Sequence, residues 1–218
     1  MDEKRLVEEI TRRVLERLTG DGALAPARLP VGVSVRHVHI SQGDLEILYG
    51  PGHQLTPLRD LYQEGEFAAK EVVALVGPKM RALENVRILG PVRSRTQIEV
   101  SRTDAIYLGI DPPVRQSGDL KGSSPITLVG PKGTLVLQEG CIVANRHIHM
   151  SPSDAERFGL EDNDLVQVEV LGEKGLIFNN VQVRVKDNFR LEMHLDTDDA
   201  NASGITTGAL ARILGKQQ

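Results

Sequence analysis

The spacing of apolar residues indicates a helix at the start of the chain and strands beyond it. Over residues 2–19 the apolar side chains fall on one helical stripe, formed by Leu6, Val7, Ile10, Val14 and Leu18. We assign residues 1–20 to this amphipathic helix and residues 21–30, rich in Pro, Ala and Gly, to a linker. Because a short helix cannot bury its stripe within itself, it must dock on its own domain, on a second copy or on a partner.

An internal duplication follows the linker. The segment Arg36 to Ser41, with the sequence RHVHIS, returns 110 residues later as RHIHMS, from Arg146 to Ser151. Residues 76–105 also align without a gap on residues 171–200. Two copies of one pattern in a chain of 218 residues favour two small domains of the same fold.

Short alternating segments dominate each copy and predict strands. The first runs from Val31 to Val35, and Ser41 and Ser151 are typical N-caps for short helices. Leu210 to Leu214 is predicted as a last short helix. Many short strands with few helices favour compact β-barrels. The predicted fold is mainly β, with two small barrels related by duplication and capped by short helices, over residues 37–144 and 145–218.

The repeated His-x-His pairs predict two metal sites. A two-residue step on a strand sends both imidazoles out of one face, so one ion can bind both. The aligned segments then place Glu99 opposite His194 as third ligands. Five of the six histidines fall at matching positions, whereas His53 has no counterpart and is interpreted as structural. The two candidate ligand sets are His37, His39 and Glu99 in the first half, and His147, His149 and His194 in the second.

Such sets suit zinc, although cobalt, nickel or manganese also bind His and Glu. Three protein ligands leave one position of a tetrahedral ion open, which is typical of a catalytic site. Arg93 lies six residues before Glu99, and alternation along a regular strand would place both side chains on one face. A guanidinium beside a metal suits phosphate or carboxylate, while a solvated strand arginine is the alternative interpretation.

Composition narrows the function classes. The net charge of −4 argues against non-specific nucleic-acid binding, and no apolar run reaches the length of a membrane span. The single cysteine, Cys141, excludes an internal disulfide and fits a reducing cytoplasm. We interpret Cys141 as a buried small hydrophobic residue, and a nucleophile of an acyl-transfer enzyme is the alternative.

Seven blocks in the same order resemble the PduL-type phosphate propanoyltransferases, the phosphotransacylases associated with bacterial microcompartments. The resemblance runs from about Val31 to the end of the chain. The blocks are RHVHIS, HQLTPLRDLY, VRILGPVRSRTQIEVSRTDA, RQSGDLKGS, ITLVGPKG, RHIHMS and HLDTDDANA.

The resemblance implies an enzyme that interconverts short-chain acyl-CoA plus phosphate with acyl phosphate plus CoA, using two zinc ions per chain. It implies the same six metal ligands, Arg93 as the phosphate-binding arginine, and two facing barrels with the strand at residues 31–36 joined to the second. It also implies a homodimer or larger assembly in the bacterial cytoplasm, with residues 2–19 recruiting the enzyme to a microcompartment shell. The implied CoA contacts are Ser34, Arg59, Arg87, Leu89 and Asn201.

Two other functions compete with this interpretation. A bicupin-type oxygenase or isomerase also combines His-x-His, Glu and a later His on small barrels. Its Glu usually follows the pair within a few residues, whereas Glu99 lies 60 residues beyond His39. A scaffold whose metals only hold the barrels together is the non-enzymatic alternative, and activity with acyl-CoA and phosphate would separate it from both enzymes.

Overall fold

The computed structural model describes residues 28–217, which form fourteen strands and four short helices. The predicted N-terminal helix and most of the linker lie outside the described residues. The strands are β1 (Arg28–Ser34), β2 (His37–Ser41), β3 (Pro57–Asp60), β4 (Phe67–Val76), β5 (Ala82–Arg93), β6 (Gln97–Glu99), β7 (Val114–Arg115), β8 (Ser124–Val129), β9 (Thr134–Ala144), β10 (His147–Met150), β11 (Leu165–Val170), β12 (Leu176–Val185), β13 (Glu192–Asp196) and β14 (Leu210–Lys216). The helices are α1 (Gln42–Tyr49), α2 (Arg102–Leu108), α3 (Pro152–Phe158) and α4 (Thr197–Ser203).

The strands close into two six-stranded barrels, which confirms the predicted fold class. The first barrel has the order β4-β5-β2-β6-β9-β8 and closes because β8 pairs with both β9 and β4, while β3 and β7 add to its edges. The second barrel has the order β1-β13-β10-β12-β11-β14. Each has its own core, built mostly from Val, Leu and Ile, with Ile88 and Ile98 fully buried in the first and Ile148 and Met193 in the second.

In both barrels the strand that carries the His-x-His pair has the same arrangement of neighbours. Strand β2 runs parallel to β5 and antiparallel to β6, and β10 runs parallel to β12 and antiparallel to β13. Asn85 and Asn180, which match in the sequence repeat, both adopt a φ of 56°. Asparagine tolerates this left-handed conformation better than most residues. The duplication therefore extends to backbone conformation.

The strand before each His-x-His pair belongs to the opposite barrel. Strand β1 leads into β2 but pairs with β13 and β14, and Val31 is in register with Met193. Strand β9 leads into β10 but pairs with β6 and β8. This reciprocal exchange passes the chain between the barrels just before each histidine pair, so both pairs start at the junction.

The helix boundaries follow the capping residues, but the predicted C-terminal helix is wrong. The hydroxyls of Ser41 and Ser151 accept hydrogen bonds from the backbone of Asp44 and Asp154, as N-caps do. Residues 210–214 instead lie in β14, which pairs antiparallel with both β1 and β11 and closes the second barrel. A short apolar run is ambiguous by itself, and here pairing on both sides decides for a strand.

His53, the sixth histidine, lies in a structural cluster outside the barrel junction. Its Nε2 is 3.1 Å from Oε1 of the buried Glu71, and its ring stacks on Tyr49. Glu71 also accepts hydrogen bonds from the backbone N–H and the hydroxyl of Thr56, at 2.9 Å each. The structural interpretation of His53 is consistent with these contacts.

Substituting Gln for Glu71 is expected to lower the free energy of unfolding at pH 7 by about 1–3 kcal/mol, since hydrogen bonds to a buried carboxylate are lost. Burial raises the pKa of Glu71, but hydrogen bonds from Thr56 and His53 outweigh it and hold the pKa below its ordinary 4.5. Because the folded-state pKa is lower than the unfolded one, this stabilisation is present above about pH 4.5 and is lost as the pH falls. Urea unfolding of the wild type and of Glu71→Gln between pH 7 and pH 4 should show the difference between their free energies of unfolding becoming smaller. A difference that does not change with pH would contradict this prediction.

Candidate metal and anion site

A cavity of about 830 Å³ lies between the two barrels, and both barrels contribute side chains to it. All six predicted metal ligands line it. They form two groups, and the ligand atoms within each group lie within 4.8 Å of one another. The groups are His37, His39 and Glu99, and His147, His149 and His194.

The first cluster is assembled across two antiparallel strands. His37 on β2 is in register with Glu99 on β6, so their side chains share a face. Nε2 of His37 lies 3.2 Å from Nε2 of His39 and 3.5 Å from Oε2 of Glu99, and Nε2 of His39 lies 3.9 Å from Oε1 of Glu99. Ligand atoms around a tetrahedral zinc ion are about 3.4 Å apart, since each lies about 2.0–2.1 Å from the metal. The three donors therefore fit one ion.

The second cluster repeats this arrangement with a third imidazole. His147 on β10 is in register with His194 on β13, and their rings stack with centroids 4.9 Å apart. Both ring nitrogens of His149 and Nε2 of His194 are buried without a hydrogen-bond partner. Buried polar atoms are rarely left in this state, so each such atom demands an explanation. A metal ion would supply a partner for one nitrogen of each imidazole, and the donor set fits one ion.

Backbone carbonyls fix the tautomer of one histidine in each cluster. Nδ1 of His37 lies 2.9 Å from the carbonyl of Val35, and Nδ1 of His147 lies 2.9 Å from the carbonyl of Asn145. A proton on Nδ1 leaves the lone pair of Nε2 for a metal, which is the usual outer contact of a metal-binding histidine. The equivalent carbonyls come from the residue two positions upstream in both halves.

The protonation states also suit metal binding. Burial, with the nearby His194, lowers the pKa of His147 to about 3, and burial likewise lowers the pKa of His39 and His149 well below the ordinary value. Burial acts to raise the pKa of Glu99, but the charges of His37 and His39 lower it to about 2. At neutral pH these three imidazoles are therefore neutral and the Glu99 carboxylate is ionised, which are the forms that bind metals.

Comparison with known proteins agrees with this geometry. The family described as phosphate propanoyltransferase matches residues 30–206. The chain belongs to this family. A phosphate propanoyltransferase of Lachnoclostridium phytofermentans is 54% identical over 95% of this chain and 98% of its own length. The phosphate propanoyltransferase of Thermotoga maritima is 56% identical over 84% of this chain and 88% of its own length. That of Salmonella typhimurium is 48% identical over 98% of this chain and 99% of its own length. The resemblance found in the sequence is confirmed, and the family is one of acyltransferases.

Phosphate propanoyltransferases of this type need an anion site, and Arg93 lies at the cavity. It ends β5, with NH2 3.2 Å from Oε1 of Glu66 and NH1 3.5 Å from the hydroxyl of Ser117. The prediction that Arg93 and Glu99 lie on one face of a single regular strand is wrong. A turn separates Arg93 on β5 from Glu99 on β6, and the cavity is lined by both only because β2 lies between the two strands.

Four of the five CoA contacts implied by the family resemblance line the cavity: Ser34, Arg59, Arg87 and Leu89. The fifth, Asn201, does not. It is exposed on α4, and its backbone carbonyl accepts a hydrogen bond from Lys174. Cys141 is buried within β9 as predicted, and burial raises its pKa to about 12, so it cannot act as a thiolate nucleophile near neutral pH.

The sequence interpretation missed two residues that contact the third ligands. Nε2 of the buried Gln97 donates to Oε1 of Glu99 at 2.6 Å. Glu192, also buried, has Oε2 3.1 Å from Nε2 of His194, though without the angle of a hydrogen bond. Gln97 and Glu192 are equivalent in the repeat, two residues before each third ligand. The Gln97 amide thus lies beside the Glu99 carboxylate, and the Glu192 carboxylate lies beside the His194 imidazole. The repeat alignment could have identified both.

No helix among residues 28–217 is both long enough and apolar enough to cross a membrane.

Proposed function

We propose that this chain interconverts propanoyl-CoA plus phosphate with propanoyl phosphate plus CoA, at a centre that holds two divalent metal ions. The observation that carries the proposal is two equivalent clusters of metal-suited side chains that line one cavity with Arg93. Membership of the phosphate propanoyltransferase family supports the substrates. The His and Glu donor sets support zinc as the metal.

Bound metal ions would supply Lewis-acid stabilisation of negative charge on sulfur and oxygen. Arg93 binds the phosphate through paired N–H donors and orients one oxygen toward the thioester carbonyl. Glu66 is the resting partner of Arg93 at 3.2 Å, and phosphate replaces it. The phosphate oxygen adds to the thioester carbonyl and forms a tetrahedral oxyanion, whose negative charge Arg93 helps to stabilise. When this adduct collapses, the C=O bond re-forms and the C–S bond breaks, and its electron pair leaves on the CoA sulfur. Because the attack is direct, no side chain becomes acylated.

The acyl pocket is proposed to accept acetyl as well as propanoyl groups. The two differ by one methylene, which a hydrophobic pocket distinguishes by only about 1–3 kcal/mol. Both acyl phosphates are therefore expected products.

We also propose a homodimer or larger assembly in the bacterial cytoplasm, inside a microcompartment. Residues 2–19, the candidate signal for recruitment to the shell, lie outside the described residues, so this role stays a prediction from their amphipathic pattern.

Metal content measured together with thiol release tests the function. We expect about two zinc ions per chain and release of CoA from propanoyl-CoA that requires phosphate, is lost on chelation and returns with zinc. Two metal ions without phosphate-dependent release would overturn the transferase and reopen the bicupin-type and scaffold interpretations. Phosphate-dependent release from fully chelated protein would overturn the metal centre alone.

A further inference from the structure

Arg184 is a cavity arginine to which the sequence assigned no role. It lies on β12, in register with His149 on the neighbouring β10. Its side chain is partly buried and lines the cavity between the barrels. Burial and the facing charge of Arg93 lower its pKa, while Glu99 opposes them. The guanidinium therefore stands beside the second cluster, partly withdrawn from solvent.

Arg184 has no close anionic partner within residues 28–217, in contrast to Arg36 and Arg93, which line the same cavity. NH2 of Arg36 lies 2.7 Å from Asp104, and NH2 of Arg93 lies 3.2 Å from Glu66. No carboxylate of the described residues lies within 4 Å of the Arg184 guanidinium, and no hydrogen bond from it is formed. The Arg184 guanidinium is partly buried, opens on the cavity and has no carboxylate beside it, so its donors can pair with an anionic ligand.

The position of Arg184 selects the anion. It neighbours His149, one of the candidate ligands, so it stands at the reacting centre. The phosphates of CoA are separated from the thioester by the whole pantetheine arm, and they cannot reach the same place while the thioester is at the metals. The anion that does reach it is the phosphate that attacks the thioester.

The duplication shows that this charge was placed independently of Arg93. The repeat counterpart of Arg184 is Leu89, and the counterpart of Arg93 is Asn188. All four line the cavity. Arg93 in the first barrel and Arg184 in the second thus each occupy a position where the other barrel has a neutral side chain. Because both guanidinium groups line the same cavity, a phosphate dianion between them would be attracted by both.

We propose that Arg184 is a second phosphate-binding arginine, which together with Arg93 holds the transferable phosphate between the two barrels. The proposal rests on the proposed function, because it concerns the phosphate of that reaction. A clamp with one arginine from each barrel would orient the phosphate more tightly than Arg93 alone, since each guanidinium presents paired donors.

Kinetics of Arg184→Gln and Arg184→Lys, each with its metal content verified, test this clamp. For Arg184→Gln we expect the KM for phosphate to rise at least about tenfold, as loss of one charge-assisted hydrogen bond implies. The KM for propanoyl-CoA should stay within about twofold, with both metals retained. Arg184→Lys keeps the charge and should recover part of the loss. Arg157→Gln is the matched control in the same barrel, because Arg157 is exposed on α3 and pairs with Asp154.

A binding measurement without turnover separates this proposal from the proposed function. Phosphate should raise the melting temperature of the metal-loaded wild type, and Arg184→Gln should lose most of that shift while CoA still stabilises it. An unchanged phosphate shift and an unchanged KM for phosphate would overturn the role of Arg184. A rise in the KM for propanoyl-CoA alone would also overturn it and assign the residue to CoA. Failure of the wild type to release CoA would overturn the proposed function. The rise in melting temperature caused by phosphate would still show whether Arg184 binds phosphate.

Discussion

His149→Ala is expected to lower phosphate-dependent CoA release by at least about three orders of magnitude, because it removes a donor from the cluster that stabilises developing charge. Both ring nitrogens of His149 are buried without a hydrogen-bond partner, and its ring stacks on Phe189 with centroids 3.9 Å apart. The second cluster would keep only two donors, His147 and His194. We expect metal analysis to show about one ion per chain in place of two.

His53→Gln is the matched control for this loss. His53 is the one histidine outside the two clusters and belongs to the structural contact with Glu71. We expect two metal ions per chain and a rate within about twofold of the wild type, with at most a modest loss of stability from the contact. If His149→Ala retained two metals and full activity, the second cluster would not be part of the reacting centre.

Arg93→Ala is expected to lower kcat/KM for phosphate by about two to three orders of magnitude, the range for removal of one preorganised electrostatic group. Its guanidinium lines the cavity and is held between Glu66 and Ser117, and Arg93 is not one of the six candidate metal ligands. Metal content should therefore remain at two ions per chain. Initial rates over a range of phosphate and propanoyl-CoA concentrations give the split between kcat and KM.

Arg95→Ala controls for loss of a positive charge close to Arg93 in the chain. Arg95 lies two residues further along the chain, is exposed and pairs with Glu139 at 2.7 Å. We expect its kinetic constants to match those of the wild type. Equal rates for Arg93→Ala and the wild type would remove Arg93 from the phosphate site.

The reciprocal strand exchange explains why both clusters reach one cavity. The chain passes from β1 in the second barrel to β2 in the first just before His37, and from β9 in the first barrel to β10 in the second just before His147. Each crossing therefore brings a His-x-His pair to the junction between barrels. Separate barrels joined by a linker would leave the relative position of the clusters free. The exchange removes that freedom, and we interpret it as the preorganisation that a two-metal centre requires.

The sequence was most informative where the duplication acted as an internal comparison. Aligning its halves brought Glu99 opposite His194, and in the structure each stands in register with the first histidine of its pair. The alignment works because equivalent residues in two copies of a fold occupy equivalent strand positions. Gln97 and Glu192 occupy equivalent positions in the same alignment, but they escape notice because an amide and a carboxylate differ in chemistry.

Periodicity and the repeat thus determined the fold class, the short capped helices and the grouping of six side chains into two sets. Only the tertiary structure decided that residues 210–216 are a strand, since a short apolar run takes its conformation from the strands beside it. It alone decided that Arg93 and Glu99 meet across separate strands and that Arg184 faces the same cavity. These placements depend on barrel closure and on strand order, and no local pattern records which strands become neighbours.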